Sequence, residues 1–127
     1  MFEKKTYKGN ELELYKQSLT LSHLQREILI GVLLGDASIS LREGKPVYVV
    51  KFEQAIFNKE YINHLYTVFE SFAGQIPLEY KNKSIWFSTY RHSSFKFYYD
   101  LFYSDVSDKK QVPRNIHRFL TARSLAY

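Results

Sequence analysis

The stretch that decides the fold lies at residues 29–37 and reads Leu-Ile-Gly-Val-Leu-Leu-Gly-Asp-Ala. It is apolar on nearly every side, which is typical of a buried helix. Gly31 and Gly35 are four residues apart and are expected on one helix face. A glycine inside a helix costs about 1 kcal/mol relative to alanine, so the pair predicts close contact with a second helix. Asp36 would then lie at the foot of a two-helix interface.

The rest of the chain predicts alternating helices and hairpins. Ser22 and Gln25 match a capping box that opens the helix ending near Leu34. Apolar spacing and turn residues predict the following further elements: strands at 37–42 and 47–54 around a turn at 43–46, a helix at 59–73, strands at 76–80 and 84–90 around a turn at 81–83, a helix at 94–103, and short helices after Pro113 and Thr121. The order is α-β-β-α-β-β-α, an α+β fold with two antiparallel hairpins and the helices on one face.

Composition indicates one globular domain. The chain has 127 residues, of which 45% are hydrophobic and 17% aromatic, and these contents favour a packed core. We divide it into an N-terminal extension at 1–20, a domain at 21–120 and the start of a further helix at 121–127. The absence of cysteine excludes disulfides and thiolate zinc sites. No apolar run reaches about 18 residues, so no membrane partner is expected.

The basic residues are clustered. The formal net charge is +5. Two stretches hold basic residues without any acid between them: Lys81, Lys83, Arg91 and Lys96 in the first, and Lys109, Lys110, Arg114, Arg118 and Arg123 in the second. A basic surface suits a polyanion such as nucleic acid, and an ordinary solvated surface is the alternative. The four histidines show no metal-ligand spacing, and no glycine-rich phosphate loop is present.

The stretch at 29–37 resembles the motif of the LAGLIDADG homing endonucleases, particularly the monomeric kind with two motifs that organellar introns encode. Four residues match the nine-residue motif: Leu29, Gly31, Gly35 and Asp36. The sixth position, which is often acidic in the family, is Leu34 here. The predicted order of helices and strands is also that of the family's half-domain with its β-saddle.

The C-terminal residues 112–127 resemble the segment that leads into the second motif of the family. The resemblance therefore covers about Leu24 to Tyr127. It implies that this chain stops three residues into the second motif, at Leu125-Ala126-Tyr127. The second half would then be another chain or a second copy, because the glycine seam would otherwise leave apolar surface exposed.

The resemblance implies half of a sequence-specific endonuclease that acts on double-stranded DNA. In such a site two helices each present an acid to shared divalent ions, Mg²⁺ or Mn²⁺, beside the scissile phosphates. Asp36 would be the catalytic, metal-binding acid of this half, and Gly31 and Gly35 would form the helix interface. Lys110 matches a lysine that the family keeps near its active centre, and an ordinary surface lysine is the equal alternative. The implied location is organellar, with the mitochondrion before the chloroplast.

The hairpins are expected to form a saddle in the DNA major groove, which admits a two-stranded ribbon. The candidate nucleic-acid contacts on the strands are Ser38, Ser40, Arg42, Lys51 and Glu53. Lys81 and Lys83 at a hairpin tip are expected to contact phosphates, and Arg91 is a further basic candidate. In the last strand Ile85 and Phe87 alternate with Trp86 and Ser88, and we place Trp86 in the core.

A rival hypothesis is an RNA-binding protein without catalysis, maturase-like or ribosome-associated, that uses the same basic saddle on structured RNA. A third is a fragment cut at a domain boundary, with no biology of its own. The substitution Asp36→Asn separates the first two, because only an endonuclease needs that carboxylate for its activity.

Overall fold

The computed structural model describes residues 7–42, 45–103, 110–113 and 115–127. Its helices and strands in chain order are α1 (Gly9–Gln17), α2 (His23–Leu34), β1 (Ser38–Arg42), β2 (Lys45–Ala55), α3 (Lys59–Phe69), β3 (Leu78–Tyr80), β4 (Ser84–Ser88), α4 (Lys96–Phe102) and α5 (Ala122–Leu125). Short 3₁₀ turns precede α3 and α4, and another lies at Ile116–Arg118. The predicted order is confirmed, with α1 in addition. Among the described helices, none is both long and apolar enough to span a bilayer.

The four strands form one antiparallel sheet in the order β1-β2-β4-β3. The helices cover one face of the sheet. The side chains on this covered face include Val50, Phe52, Ile85 and Phe87, each of which is at most 2% exposed. The alternating residues form the open face, which the helices leave uncovered, because successive side chains of a strand point to opposite sides. Phe52 stacks on Phe87 with ring centroids 4.6 Å apart, and this pair joins β2 to β4 at the centre of the core.

The capping box at the start of α2 is confirmed. The Ser22 hydroxyl accepts from the Gln25 backbone N–H at 3.1 Å, and the Ser22 N–H donates to the Gln25 carboxamide oxygen at 2.9 Å. The helix ends at Leu34, so Gly35 lies outside it and the prediction that both glycines share a helix face is wrong. The N–H of Gly35 donates to the Val32 carbonyl oxygen at 3.1 Å, a tightened last turn from which the chain leaves the helical path.

The turn between β3 and β4 is tight and places Lys81 and Lys83 at the tip of the hairpin. Lys81 and Asn82 have φ angles of 50° and 54°, and the N–H of Lys83 donates to the Tyr80 carbonyl oxygen at 2.8 Å. Two central residues with positive φ make a type I′ turn, whose twist matches that of the flanking strands. Lys81 and Lys83 are both exposed at this tip.

Helix α1 lies within the segment that we treated only as an extension. Helix α1 has no buried side chain and no side-chain N-cap. An apolar face and a cap residue are the features that predict a helix from sequence, so this helix was not predicted. Contacts with the rest of the domain hold it in place: the Tyr15 hydroxyl donates to the Ser71 carbonyl oxygen at 2.7 Å, and the His92 Nε2 lies 2.8 Å from the Lys16 carbonyl oxygen.

The prediction that Trp86 lies in the core is wrong. Its neighbours Ile85 and Phe87 are buried, so Trp86 must face the other side of the sheet, where it is half-buried opposite Glu53 and Leu78. The Lys51 Nζ lies 5.0 Å from the centre of its ring. Trp86 alternates with the intermediate Ser84 and Ser88, whereas Ile85 and Phe87 are both apolar and pack on the core, where Phe87 stacks on Phe52 of β2.

Candidate active site and nucleic-acid interface

Asp36 lies in the turn between α2 and β1, where its carboxylate is exposed. Its Oδ2 accepts a hydrogen bond from the Gln54 Nε2 at 2.7 Å. The Gln54 Oε1 in turn accepts from the Asn58 Nδ2 at 3.0 Å. Because the Asn58 amide can only donate through its nitrogen, this bond turns the Gln54 NH₂ group toward Asp36. The carboxylate is therefore held in one orientation at the mouth of a cleft of about 340 Å³.

Lys110 lies beside this carboxylate although it is far away along the chain. Its Nζ donates to the carbonyl oxygens of Gly35 at 2.7 Å and Ala37 at 2.5 Å, the residues on either side of Asp36. Burial lowers the pKa of Lys110, and the nearby Asp36 carboxylate acts in the opposite direction. The site thus holds a fixed cation beside the Asp36 carboxylate, a combination that suits a phosphate group and its charge.

Gly31 is the point at which α5 touches α2. A Cβ atom on Gly31 would lie 2.0 Å from the Ser124 carbonyl oxygen and 3.1 Å from the Tyr127 Cβ. The Ser124 side chain is 1% exposed, and its hydroxyl donates to the Glu27 carbonyl oxygen at 2.7 Å. Only a glycine permits this approach, so Gly31 lies in a helix contact within the chain. Gly35 has no such contact, since its Cβ would meet only the Val32 oxygen, at 3.7 Å.

Glu27 fastens the first turn of α5 to α2. The Thr121 hydroxyl, which also caps α5, donates to the Glu27 Oε2 at 2.6 Å, and the Arg123 guanidinium lies 3.2 Å from Oε1. The Thr121 hydrogen bond is the main cause of a lowered pKa at Glu27, and the charges of His23 and Arg123 lower that pKa further.

Tyr127 lies over the same seam and lines the cleft together with Asp36. Its hydroxyl is hydrogen-bonded to the His64 Nε2, and the two rings are stacked with centroids 5.6 Å apart. Burial raises the pKa of Tyr61 in the cleft wall, and the charges of Tyr127 and Asp36 raise it further. The expectation that the seam at Gly31 is open is therefore corrected: α5 and Tyr127 cover it.

The donor set at Asp36 fits one side of a shared metal site. Carboxylate and water oxygens are what Mg²⁺ prefers, and Asp36 supplies one exposed carboxylate. The carbonyl oxygens of Gly35 and Ala37 are taken by the Lys110 ammonium. Within the described part of the chain, no three acidic, histidine or cysteine side chains come together.

The open face of β1 and β2 carries the polar residues that we predicted to contact nucleic acid. Ser38 and Ser40 alternate with the buried Ile39, and Ser38 pairs with Lys51 across the two strands. The Lys51 Nζ lies 3.7 Å from a Glu53 carboxylate oxygen. Arg42 ends β1, and its side chain lies outside the described residues.

The remaining basic candidates lie apart from one another. Lys81 and Lys83 are at the exposed β3–β4 tip, as expected. Arg91 is three residues beyond the end of β4 and lines a groove with Lys16 and Tyr48, outside the four strands. The structure therefore brings six of the described candidates to the open face or its tip and leaves Arg91 beside α1.

Sequence reasoning missed Gln54, Asn58, Tyr61 and Tyr127, which line the cleft around Asp36. A signal for Gln54 was available in the hairpin. Continuing the β1–β2 register beyond Ser38↔Lys51 brings residues 35 and 36 level with Gln54 and Glu53. A register derived from the hairpin would have placed an amide side chain next to the acid.

Comparisons with known proteins agree with this geometry. Residues 26–127 match the family model described as the LAGLIDADG DNA endonuclease family. The chain is 33% identical over 122 residues to the probable intron-encoded endonuclease 1 of Wickerhamomyces canadensis, covering 88% of this chain and 51% of that protein. It is 27% identical over 124 residues to the DNA endonuclease I-ChuI of Chlamydomonas applanata, covering 86% of this chain and 57% of that protein. This chain thus spans about half the length of these relatives.

A third relative has a different kind of name, the chloroplastic pentatricopeptide repeat-containing protein OTP51 of Oryza sativa subsp. japonica. It is 31% identical over 121 residues, which cover 87% of this chain and 14% of that protein. Among solved structures, the homing endonuclease I-WcaI bound to its DNA recognition sequence matches with a TM-score of 0.81 and 30% identity, over 94% of this chain and 55% of that one. The motif at 29–37, the four-stranded sheet and these matches agree, and the chain belongs to the LAGLIDADG DNA endonuclease family.

Proposed function

We propose that this chain is one half of a sequence-specific endonuclease that hydrolyses both strands of DNA with divalent metal ions, and that it cuts only when paired with a second half. The observation that carries the proposal is the Asp36 carboxylate, exposed in the turn after α2 and held by Gln54 at 2.7 Å. Asp36 and Glu53 line the same cleft, so the acid adjoins the strand residues that would contact DNA.

The open face has the chemistry of a DNA-binding surface. Serine, lysine and glutamate side chains can each donate to or accept from base edges in the major groove. Lys81 and Lys83 extend beyond the strands, where cations contact phosphates without reading sequence. We propose that Ser38, Ser40, Lys51 and Glu53 read bases and that the tip lysines position the duplex. Arg42 and Arg91 are proposed as further contacts to the DNA backbone.

Asp36 is the proposed catalytic acid of this half. A Mg²⁺ or Mn²⁺ ion held by Asp36 and a second acid would activate water and stabilise the leaving oxygen. The Gln54 amide orients the carboxylate toward that position. The Lys110 ammonium, fixed by two carbonyl oxygens, would offset the negative charge that develops on the phosphate.

The proposed partner is a distinct second half, either a continuation of the same polypeptide or a separate chain. The curated endonuclease relatives are about twice as long as the region they share with this chain. A homodimer that packs Gly31 against a twin's Gly31 is disfavoured, because the Ser124 carbonyl already occupies that surface. The intron-encoded and chloroplastic names of the relatives favour an organellar location, the mitochondrion or the chloroplast.

The test uses the chain assembled with a second LAGLIDADG half and a randomised duplex library from which the bound sequence is selected. Asp36→Asn should leave duplex binding within about threefold and reduce Mg²⁺-dependent cleavage at least 100-fold, since removing one catalytic charge costs that much or more. The matched control is Asp100→Asn, which removes an exposed acid of α4 that pairs with Lys96. Cleavage that survives in the Asp36 variant would overturn the catalytic assignment.

A second candidate function is RNA binding without cleavage. It is favoured by the exposed tip lysines Lys81 and Lys83, because cations at such a tip contact RNA phosphates as well as DNA phosphates. In the same experiment, tight binding of structured RNA with no selected duplex and no cleavage by the assembled protein would favour this function over the nuclease.

A further inference from the structure

The two halves of the open face differ in their large side chains. On β1 and β2 the open face carries Ser38, Ser40, Lys51 and Glu53, together with Val49 and Ala55. On β3 and β4 it carries Leu78, Tyr80 and Trp86, which we call the apolar strip, together with Ser84 and Ser88. Leu78 is 43% exposed and pairs directly with Trp86, while Tyr80, 55% exposed, pairs with Ser84. The strip is therefore continuous along the edge of the face that would meet DNA.

Cations lie on both rings of the strip. The Lys51 Nζ is 5.0 Å from the centre of the Trp86 ring, and the Lys81 Nζ is 5.2 Å from that of Tyr80. Such contacts are weak at exposed sites. The ammonium groups can therefore leave the rings when a duplex arrives, Lys51 for a base edge and Lys81 for a phosphate, and the apolar surface is then uncovered beside the DNA. Apolar side chains flanked by cations match a groove that offers apolar groups between its phosphates.

In the major groove thymine presents a C5-methyl group beside its O4 acceptor, and this methyl is the apolar group that distinguishes thymine from the other bases. We propose that the apolar strip reads thymine methyl groups, so that the DNA half-site under β3 and β4 is specified by methyl contacts and that under β1 and β2 by hydrogen bonds. This inference rests on the proposed function, because it requires that the sheet binds duplex DNA.

The experiment replaces thymine by uracil, which removes the methyl group and leaves the base pairing unchanged. The probe is the duplex selected from a randomised library by the chain assembled with a second half. At each thymine under the strip, uracil should weaken binding about fourfold, the value expected for one buried methyl group. Thymines that face β1 and β2 should tolerate uracil with less than a twofold change.

A protein variant tests whether the apolar strip causes the loss of binding on replacement of thymine by uracil. Leu78→Ala should abolish the uracil penalty at one thymine, since the side chain that contacts the methyl is gone. Leu78 is partly exposed, so the fold should tolerate this change, and Leu24→Ala on α2, exposed to a similar 41%, is the matched control. The control should retain the full penalty.

The outcomes separate this proposal from the proposed function. If no duplex is selected, the function itself fails and the inference with it. If a duplex is selected and bound but uracil is neutral at every thymine, the methyl readout is wrong while DNA binding stands. If Leu78→Ala alters self-association on a sizing column and leaves the uracil penalty intact, the strip is a protein contact and the inference is overturned.

Discussion

The substitution Gly31→Ala tests whether α5 docks on α2 within this chain. The added Cβ would lie 2.0 Å from the Ser124 carbonyl oxygen, whereas real Cβ atoms stay beyond 3.0 Å from such atoms. A backbone carbonyl cannot rotate away as a flexible side-chain tip can. Helix α5 must therefore move by about 1 Å or more relative to α2.

The expected cost follows from what this movement disrupts. Overpacking a well-packed contact costs about 1–3 kcal/mol. Displacing Ser124 also breaks its 2.7 Å hydrogen bond to the Glu27 carbonyl, worth about 1 kcal/mol. The higher helix propensity of alanine stabilises the folded state by about 1 kcal/mol and partly offsets this loss. The net loss in the free energy of unfolding is about 1–3 kcal/mol, which lowers Tm by roughly 4 °C for each kcal/mol in a domain of this size.

The assay compares Gly31→Ala with Gly35→Ala by thermal unfolding of the chain and by hydrogen exchange at the α5 amides. A Cβ on Gly35 makes only an ordinary contact at 3.7 Å, so this matched variant should change stability by less than about 0.5 kcal/mol. In the Gly31 variant alone, the amides of Leu125 and Ala126 should exchange faster. Equal stability and equal exchange in the two variants would refute the docking of α5 on Gly31.

Two further predictions concern Glu27 and Gln54. The Thr121 hydrogen bond is the main cause of the lowered pKa of Glu27. The ionised carboxylate therefore stabilises the folded state fully at pH values above the pKa that Glu27 has in the unfolded chain. This stabilisation is lost as pH falls through the lower pKa that Glu27 has in the folded chain. Thermal unfolding between pH 6 and about pH 3 should therefore show a smaller acid-induced loss for Glu27→Gln than for the unmodified chain, and parallel curves would contradict this. Gln54→Leu removes the 2.7 Å hydrogen bond to Asp36 and should reduce cleavage by the assembled protein 10- to 100-fold while duplex binding changes little, as is usual when a group that orients a metal ligand is lost. Undiminished cleavage in that variant would show that the amide does not orient the carboxylate.

Local patterns in the sequence predict the elements well because they depend on neighbouring residues. The capping box at Ser22 and Gln25 satisfies backbone donors within one turn, and Thr121 caps α5 in the same way. The alternation in the hairpins and the turn at 81–83 are equally local. The order of elements and the position of Asp36 directly after an apolar helix could therefore be derived from the sequence.

Packing between elements decides where α2 ends and which side chains of β4 are buried. Gly35 continues the apolar pattern of the helix, yet the chain leaves the helix at Leu34 because β1 must begin by Ser38 to pair with Lys51. In β4 Ile85 and Phe87 alternate with Ser84, Trp86 and Ser88, and Trp86 is the one large apolar side chain of its set. The burial of Ile85 and Phe87, with Phe87 stacked on Phe52, turns Trp86 to the open face.

The sequence by itself determined the buried helix at 29–34, the acid that follows it, the two hairpins and the family to which the motif is similar. Only the tertiary structure decided what surrounds that acid. Lys110 reaches the carbonyl of Gly35 from 75 positions away, Gln54 arrives through the register of a strand pair, and Ser124 closes on Gly31 from the far end of the chain. Contacts between distant segments depend on how the faces of helices and strands pack together. A pattern of neighbouring residues does not specify that packing.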